Sequence, residues 1–411
     1  MIYISKPFLE ESDGRTALCA NIIDEKQGIK EDIRYIVDNE YAEYLTDEVA
    51  DAFLVGMIMP AVYNKQDIVV DADVSEELMY KIKNTIIPAL SISWGGVNKA
   101  ITIKANALIK RDFGAKGVGC GCSLGVDSLA AIKTHLEEDC PKSFKLTHLT
   151  YFNAGAMGNK DLKKAKEAYE KDLLLVQKFA KEVGLPVVKV ENNFAIFNNC
   201  FPNYGYTAII RNMSIALSLQ KLFCKYIVAS SYHISDISLS PGGPAHYEDV
   251  VAPNVSTEST KIYISNTGMN RTDKTEYIAD DALAQKYLYV CWKEIILNDN
   301  GHDFVAKIKD EYLNCGFCDK CKRTCLALEI FGKLDQFKDI FNLKYYYRDR
   351  SMYIGRVIAG RKNDYFYGDL YSLMNRYDFK IPFKARLYSI LFSFNVHRFV
   401  PRRIISMINN R

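Results

Sequence analysis

No run of about 18 apolar residues occurs in this chain of 411 residues, so no membrane-crossing helix is expected. The N-terminus lacks a basic segment followed by an apolar one, so no secretory leader is expected either. Net charge is also slight, at +3, but it is spread unevenly. Residues 341–411 hold 14 Lys+Arg against 4 Asp+Glu, a balance of +10, which leaves −7 on the rest. That asymmetry sets the C-terminal tail apart as a unit with contacts of its own. The 11 cysteines are an odd number, and several sit in apolar helical stretches. This argues against a disulfide framework and for a reducing, cytoplasmic setting with buried thiols and one metal site. Hydrophobic residues at 48% and charged residues at 25% are ordinary for a globular protein, and the length suits two or three domains.

What is present centres on Ser123-Leu124-Gly125-Val126-Asp127-Ser128, which reads S-x-G-x-D-S. The small apolar residues from Ala115 to Cys122 suit the end of a buried strand, and Leu129 to Leu136 have helical spacing. A loop between a strand and a helix N-terminus presents backbone N–H groups and a positive dipole end to an anion. Ser123 and Ser128 add hydroxyl donors, Gly125 allows close backbone approach, and Asp127 can hold Mg²⁺ against phosphates. No Gly-Lys-Ser/Thr follows the glycines, which excludes a Walker A loop. The glycines are also wrongly offset for a Rossmann fingerprint. The competing reading is a Gly/Ser turn that only caps a helix.

This loop resembles the PP-loop of the ATP pyrophosphatase (adenine nucleotide alpha-hydrolase-like) superfamily. The expected fold class is therefore α/β: a parallel-sheet, HUP-like three-layer PP-loop domain over residues 111–330. Flanking it are a small α+β N-terminal domain over 1–110 and a basic helical extension over 331–411. In the N-terminal part, 17–23, 33–37, 67–70 and 100–104 read as strands, and 47–59 and 75–87 as helices, the second stopping before Pro88. Its expected role is to cover the active site or shape the substrate pocket, with simple packing as the alternative. Beyond residue 111, strand candidates at 116–121, 145–152, 186–190, 226–230 and 261–264 alternate with helices at 127–138, 160–183 and 207–223. That alternation argues a parallel sheet with ligands at its C-terminal strand ends.

Asn153 and Gly155, in Tyr151–Gly158 after the second strand, stand where PP-loop enzymes contact adenosine. Arg211-Asn212 opens an apolar helix and resembles the Arg-Asn pair of the 7-cyano-7-deazaguanine synthase branch. The resemblance implies that Arg211 touches ATP phosphate or the developing charge. His233 and His246 lie in the long 231–260 loop, where either could act as a base and where a solvated role competes. Arg271 and Lys274, about one helical turn apart, could share an anion.

Cys315, Cys318, Cys321 and Cys325 form a second signal, with spacings of two, two and three residues. Metal ligation explains thiols this close. The spacing equals a ferredoxin-type run, so an Fe–S cluster competes with Zn²⁺. The C-G-x-C-x-x-C core resembles the zinc motif of the 7-cyano-7-deazaguanine synthase branch. That branch has a further upstream cysteine where this chain has Ala306, so Cys325, Cys291 or His302 must supply the fourth ligand. Cys120 and Cys122, before the loop, suit either strand packing or persulfide transfer.

The resemblance implies an AMP-forming ligase. ATP and Mg²⁺ would activate a carboxylate or amide oxygen of a small-molecule substrate for attack by ammonia or an amine, with Asp127, Ser128, Arg211 and Lys274 at the chemistry. The alternatives are a sulfur transferase using the same adenylation, a tRNA-modifying enzyme, and a non-catalytic ATP sensor. A homodimer is one expected assembly. The tail, with Tyr345–Arg350 and the basic-apolar stretch Phe383–Ile408, suggests RNA or an anionic membrane surface as a partner.

Overall fold

Alternation of apolar residues along short segments makes this chain's strands, most of which assemble into one long sheet, while two short ones pair apart from it. The computed structural model describes residues 1–94, 101–155, 162–201, 204–239, 244–291 and 312–393. In chain order the strands are β1 (Ile2–Ile4), β2 (Phe8–Ser12), β3 (Arg15–Asp24), β4 (Ile29–Asp38), β5 (Ile68–Val70), β6 (Val74–Ser75), β7 (Ile103–Ala105), β8 (Leu108–Ile109), β9 (Gly117–Gly121), β10 (His148–Asn153), β11 (Val187–Asn192), β12 (Phe223–Ala229) and β13 (Lys261–Ser265). The helices are α1 (Asp51–Asn64), α2 (Glu76–Lys81), α3 (Ile87–Ser93), α4 (Val126–Thr134), α5 (Leu162–Val183), α6 (Ala208–Ser218), α7 (Glu248–Val251), α8 (Arg271–Ile278), α9 (Ala282–Tyr287), α10 (Asp319–Ile330), α11 (Leu343–Gly360), α12 (Tyr365–Arg376) and α13 (Phe383–Ser393). Among the described residues no helix is long and apolar enough to cross a membrane.

The chain divides into two compact units, Met1–Ser123 with Ala131–Gly268, and Leu124–Ala130 with Met269–Arg411. In the first unit, β13-β12-β9-β10-β11 are parallel neighbours. Numbered within that set, the spatial order is 3-2-1-4-5, the doubly wound order, and it is compatible with a Rossmann- or HUP-like, three-layer α/β fold. The order reverses at β9, the strand that leads into Ser123–Ser128.

The N-terminal segment does not stand apart from this sheet. β4 pairs antiparallel with β11, through Ile36↔Glu191 and Tyr35↔Asn192, and β3, β1, β5 and β7 continue the order. Several of these strands give alternate residues to one core, among them Ile2 and Ile4, Ile33 and Tyr35, Val188 and Val190, and Ile262 and Ile264. Helix α1 is buried from Asp51 to Val62 and packs on α6, as a helix apolar all round must. The break expected before Pro88 is absent. A π-turn over Ile82–Ile86 carries the chain onward, and Pro88 falls in the first turn of α3, where no N–H is needed.

In the second unit, α11 packs on α13 and on α12, and α10 packs on α8, α11 and α12. Several of the tail's charges are committed inside this unit. Arg350 Nε donates to both Glu329 oxygens at 2.7 and 2.8 Å, and Lys322 pairs with Asp349 at 2.9 Å. Of the stretch Phe383–Ile408, residues beyond 393 lie outside the described ones.

The start of α1 buries Asp51 completely, where it accepts from Ser75 N, Ser75 Oγ and Gln220 Nε2. Burial, against these hydrogen bonds, pushes its carboxyl above the usual range. A folded value above the unfolded one stabilises below the unfolded value of about 3.9 and is lost as pH rises through the folded value. Urea unfolding across pH should therefore show Asp51→Asn gaining on wild type as pH rises. A difference between the two that does not change with pH would contradict this.

Candidate functional site

The S-x-G-x-D-S loop leaves β9 and enters α4. Leu124, not Gly125, takes the left-handed conformation in it (φ 56°). The Leu124 carbonyl accepts from Tyr289 N at 2.8 Å, and Ser128 Oγ donates to the Gly125 carbonyl at 3.1 Å. Ser123 is exposed at the end of the first unit.

Asp127 stands in the first turn of α4, and α8 aims two cations at it. Asn270 caps α8 in a reciprocal box with Asp273, which fixes where the helix begins. Arg271 and Lys274, three residues apart, then share a face. Arg271 Nη1 donates to Asp127 Oδ2, and Lys274 Nζ, with no exposure at all, lies 3.7 Å from Oδ1. The anion expected for this pair is thus supplied from within the chain. Lys320 and Arg323, on the first turns of α10, lie within electrostatic reach of Arg271 and Asp127. Burial and then the charges of Arg271 and Arg323 push the Lys320 ammonium down to about 8. Arg323 stacks 3.6 Å above the Phe366 ring, and Asp364 also reaches it. Among the described residues the Nε atoms of Arg271 and Arg323 have no hydrogen-bond partner, and Asp127 Oδ1 accepts no hydrogen bond.

Four cations and one central carboxylate suit an anionic ligand with several oxygens. A bare divalent cation does not fit here, because Arg271 already holds the carboxylate. Mg²⁺ carried in by phosphates, needing only one protein carboxylate, does fit. Sequence reading singled out Asp127, Arg271 and Lys274, which the structure brings into contact. It missed Lys320 and Arg323, whose only local signal is the basic run after the cysteines.

In the first unit, Arg211 is buried on α6 and its Nη1 donates to the Ala154 carbonyl at 2.8 Å. It thereby meets the turn after β10, where Asn153 ends the strand and Gly155 has φ +84°. The positive φ favours glycine at 155, and a Cβ there would also stand 2.9 Å from Arg211 Nη1. The structure thus brings Arg211 and Gly155 together, and Asn212 follows on the same helix. Residues 156–158 of the expected adenosine loop lie outside the described residues. His233 Nδ1 accepts from Ser235 N at 3.1 Å and caps a short turn, while His246 stacks on Tyr232 with centroids 4.1 Å apart. Burial pushes the Cys120 thiol up to about 12, which suits strand packing and not a thiolate nucleophile.

The metal-type site of the second unit is built from Cys291, Cys315, Cys318 and Cys321. Their sulfurs all lie within 4.8 Å of one another and all four residues are buried. Cys325, expected as the fourth ligand, does not belong to the set. It lies one turn past Cys321 on α10, in the fully buried interior. Cys291 replaces it because Asn314 staples the two segments together. Asn314 Oδ1 accepts from Val290 N at 2.9 Å, and its Nδ2 donates to the Leu288 carbonyl at 2.8 Å. His302 lies outside the described residues.

The Cys315 and Cys321 sulfurs are 3.8 Å apart. Four sulfurs about 2.3 Å from one tetrahedral ion stand about 3.8 Å from each other, so the set fits a single ion such as zinc. An iron–sulfur cubane, with one iron per cysteine, would spread its ligands further. Backbone N–H groups point at the sulfurs, from Cys315 to Cys291 and from Cys318 to Cys315, each at 3.4 Å. Gly316 turns the knuckle with φ +73°, and a Cβ there would meet the Asn342 carbonyl at 2.0 Å.

Comparison with protein-family models, with curated proteins and with solved structures returns no match.

The choice between Cys291 and Cys325 is directly testable. Cys291→Ser should lose most of the bound metal and the thiolate-to-metal absorption after cobalt substitution. Cys325→Ser should keep both, at one ion per chain. The reverse pattern, read by elemental analysis, would overturn the assignment.

Proposed function

We propose that this chain is an AMP-forming ligase of the PP-loop type that uses ATP and Mg²⁺ on a small-molecule carboxylate or amide. The observation that carries this reading is the position of the S-x-G-x-D-S loop. It leaves β9, the strand at which the 3-2-1-4-5 order reverses, where doubly wound sheets bind nucleotides. The cations around Asp127 add to it, since they suit a polyphosphate.

The substrate oxygen attacks the α-phosphorus, and the bond from that phosphorus to the bridging oxygen breaks. Pyrophosphate leaves with the bond's electron pair, and its charge is met by Arg271 and Lys274. Ammonia or an amine then attacks the activated carbon. AMP leaves with its oxygen, and the nitrogen's surplus proton passes to solvent. Mg²⁺ would arrive with the phosphates and shield their charge beside Asp127. The ion at Cys291, Cys315, Cys318 and Cys321 is read as structural zinc, since four thiolates close the coordination sphere and leave no position for a substrate. The buried Cys120 counts against sulfur transfer through that thiol.

Phosphorus NMR of ATP·Mg²⁺ with the protein and a metabolite extract should show AMP and pyrophosphate accumulating only when the extract is present. ADP and phosphate would overturn the reading. Removing Asp127 is not a clean control, because it leaves the partly buried Arg271 and the buried Lys274 without this carboxylate and so also lowers stability. Ser123→Ala leaves the Asp127 ion pairs alone. Loss of one hydrogen bond to a charged phosphate, worth about 1.5–3 kcal/mol, should lower kcat/KM about 10- to 150-fold. Unchanged kcat/KM would remove Ser123 from the site.

A further inference from the structure

We propose that the outer face of α13 is a docking surface for an anionic lipid bilayer, whatever the Asp127 loop binds. Helix α13 is apolar on two opposite faces, and packing within the second unit uses only one of them.

Gly355 of α11 sets which face is used. A Cβ there would collide with Tyr388 Cβ and stand 2.8 Å from the Ala385 carbonyl, so the two helices meet at this point with no side chain between them. The contact fixes the rotation of α13 about its axis and buries Ala385 and Tyr388. Phe383, Leu387 and Ile390, spaced by four and then three residues, fall together on the opposite side. They are 73%, 47% and 54% exposed. A helix that packs only inside its own unit carries polar residues on that side. Lys384 and Arg386, both exposed, stand one on each edge of this stripe. Long cations at the edges of an apolar stripe let a helix lie in a lipid interface, with their stems along the acyl boundary and their charges at the phosphates. With 11 residues, α13 is too short to cross a bilayer and long enough to lie on one.

Charge decides between the occupants this face could take. Residues 379–411 hold 7 Lys+Arg and no Asp or Glu. The 4 acidic residues of the tail all precede them, and three are engaged inside the unit: Asp349 by Lys322, Asp364 by Tyr367 N, and Asp369 by Thr272. A second copy of this chain, docked by the same face, sets these cations against one another across a two-fold axis. Residues 394–411 bring 4 arginines and no acid, so they answer none of the charge of Lys384 and Arg386. RNA answers the charge, but Leu387 and Ile390 offer no ring on which a base can stack. An anionic bilayer answers the cations with its headgroups and the stripe with its acyl chains.

The test is co-sedimentation of the full chain with vesicles of phosphatidylglycerol and phosphatidylcholine in equal parts, and with vesicles of phosphatidylcholine alone. The mixed vesicles should bind at least about tenfold more tightly, and added salt should weaken that binding. The triple variant Phe383→Ser/Leu387→Ser/Ile390→Ser should lose at least about tenfold in affinity. Its circular dichroism and melting temperature should stay those of wild type, because the three side chains are exposed. The double variant Lys384→Gln/Arg386→Gln should narrow the gap between the two kinds of vesicle, which decides the matter if the triple variant melts lower. Wild type that stays in the supernatant would overturn the proposal. Light scattering would then separate a dimer, dispersed by the triple variant, from a monomer whose own chain covers the face. A folded triple variant that binds vesicles like wild type would overturn it as well, since charge alone would then carry the contact. Preference for tRNA over mixed vesicles, weakened in the double variant and kept in the triple one, would assign the surface to RNA instead.

Discussion

Arg271 and Lys274 of α8 are both brought to the carboxylate of Asp127, which sets two like charges side by side. Two unit charges 4 Å apart at an effective dielectric of 20 interact by about 4 kcal/mol. The Asp127 carboxylate between them offsets that repulsion. A structural zinc site contributes about 10–16 kcal/mol in small peptides, and Cys291, Cys315, Cys318 and Cys321 of the same unit could hold such an ion.

The first unit solves a different problem, which is to fix one strand end. β9 has parallel neighbours on both sides, and the sheet continues past β11 through the antiparallel β4 and β3. This continuation gives the central strands a wider core than five strands would. Tyr35 of β4, fully buried, donates its hydroxyl to the Ala52 carbonyl of α1. The N-terminal residues thus extend the sheet and its core rather than forming a separate cover over it. Arg211 is tied to the turn after β10 by its bond to Ala154, so α6 and that turn are held in register before any ligand arrives.

Much of this was written locally in the sequence. The apolar stretches gave nine of the strands within a few residues but missed the short β1, β2, β6 and β8, and the loop's residue types placed a strand before it and a helix after it. What escaped depends on partners far along the chain. Cys315, Cys318 and Cys321 sit close in sequence and point to one another, but their fourth partner is 24 residues upstream. Only the side chain of Asn314, bonded to residues 288 and 290, brings it there. Cys325 was the attractive choice because it is near. Helical geometry carries it one turn beyond the cluster and into the core. Pro88 likewise reads as a stop, and only the π-turn before it, a tertiary accommodation, lets the helix continue. Lys320 and Arg323 read as an ordinary basic run until α10 is seen against α8.

Asp127 joins these levels. With no ligand it is the counter-ion that Arg271 grips, which keeps the cations from repelling outright. An incoming polyphosphate brings more negative charge than Asp127 does, and its oxygens fit a guanidinium fork at least as well. On the proposed reading, binding is an exchange in which Arg271 and Lys274 pass from the carboxylate to the phosphates. The released carboxylate becomes available to the Mg²⁺ that phosphates carry. On this view the ion pair is a placeholder for the ligand. On the proposed reading, Asp127 and the cations of α8 answer one requirement: a site charged enough to hold a polyphosphate must be kept together while it is empty.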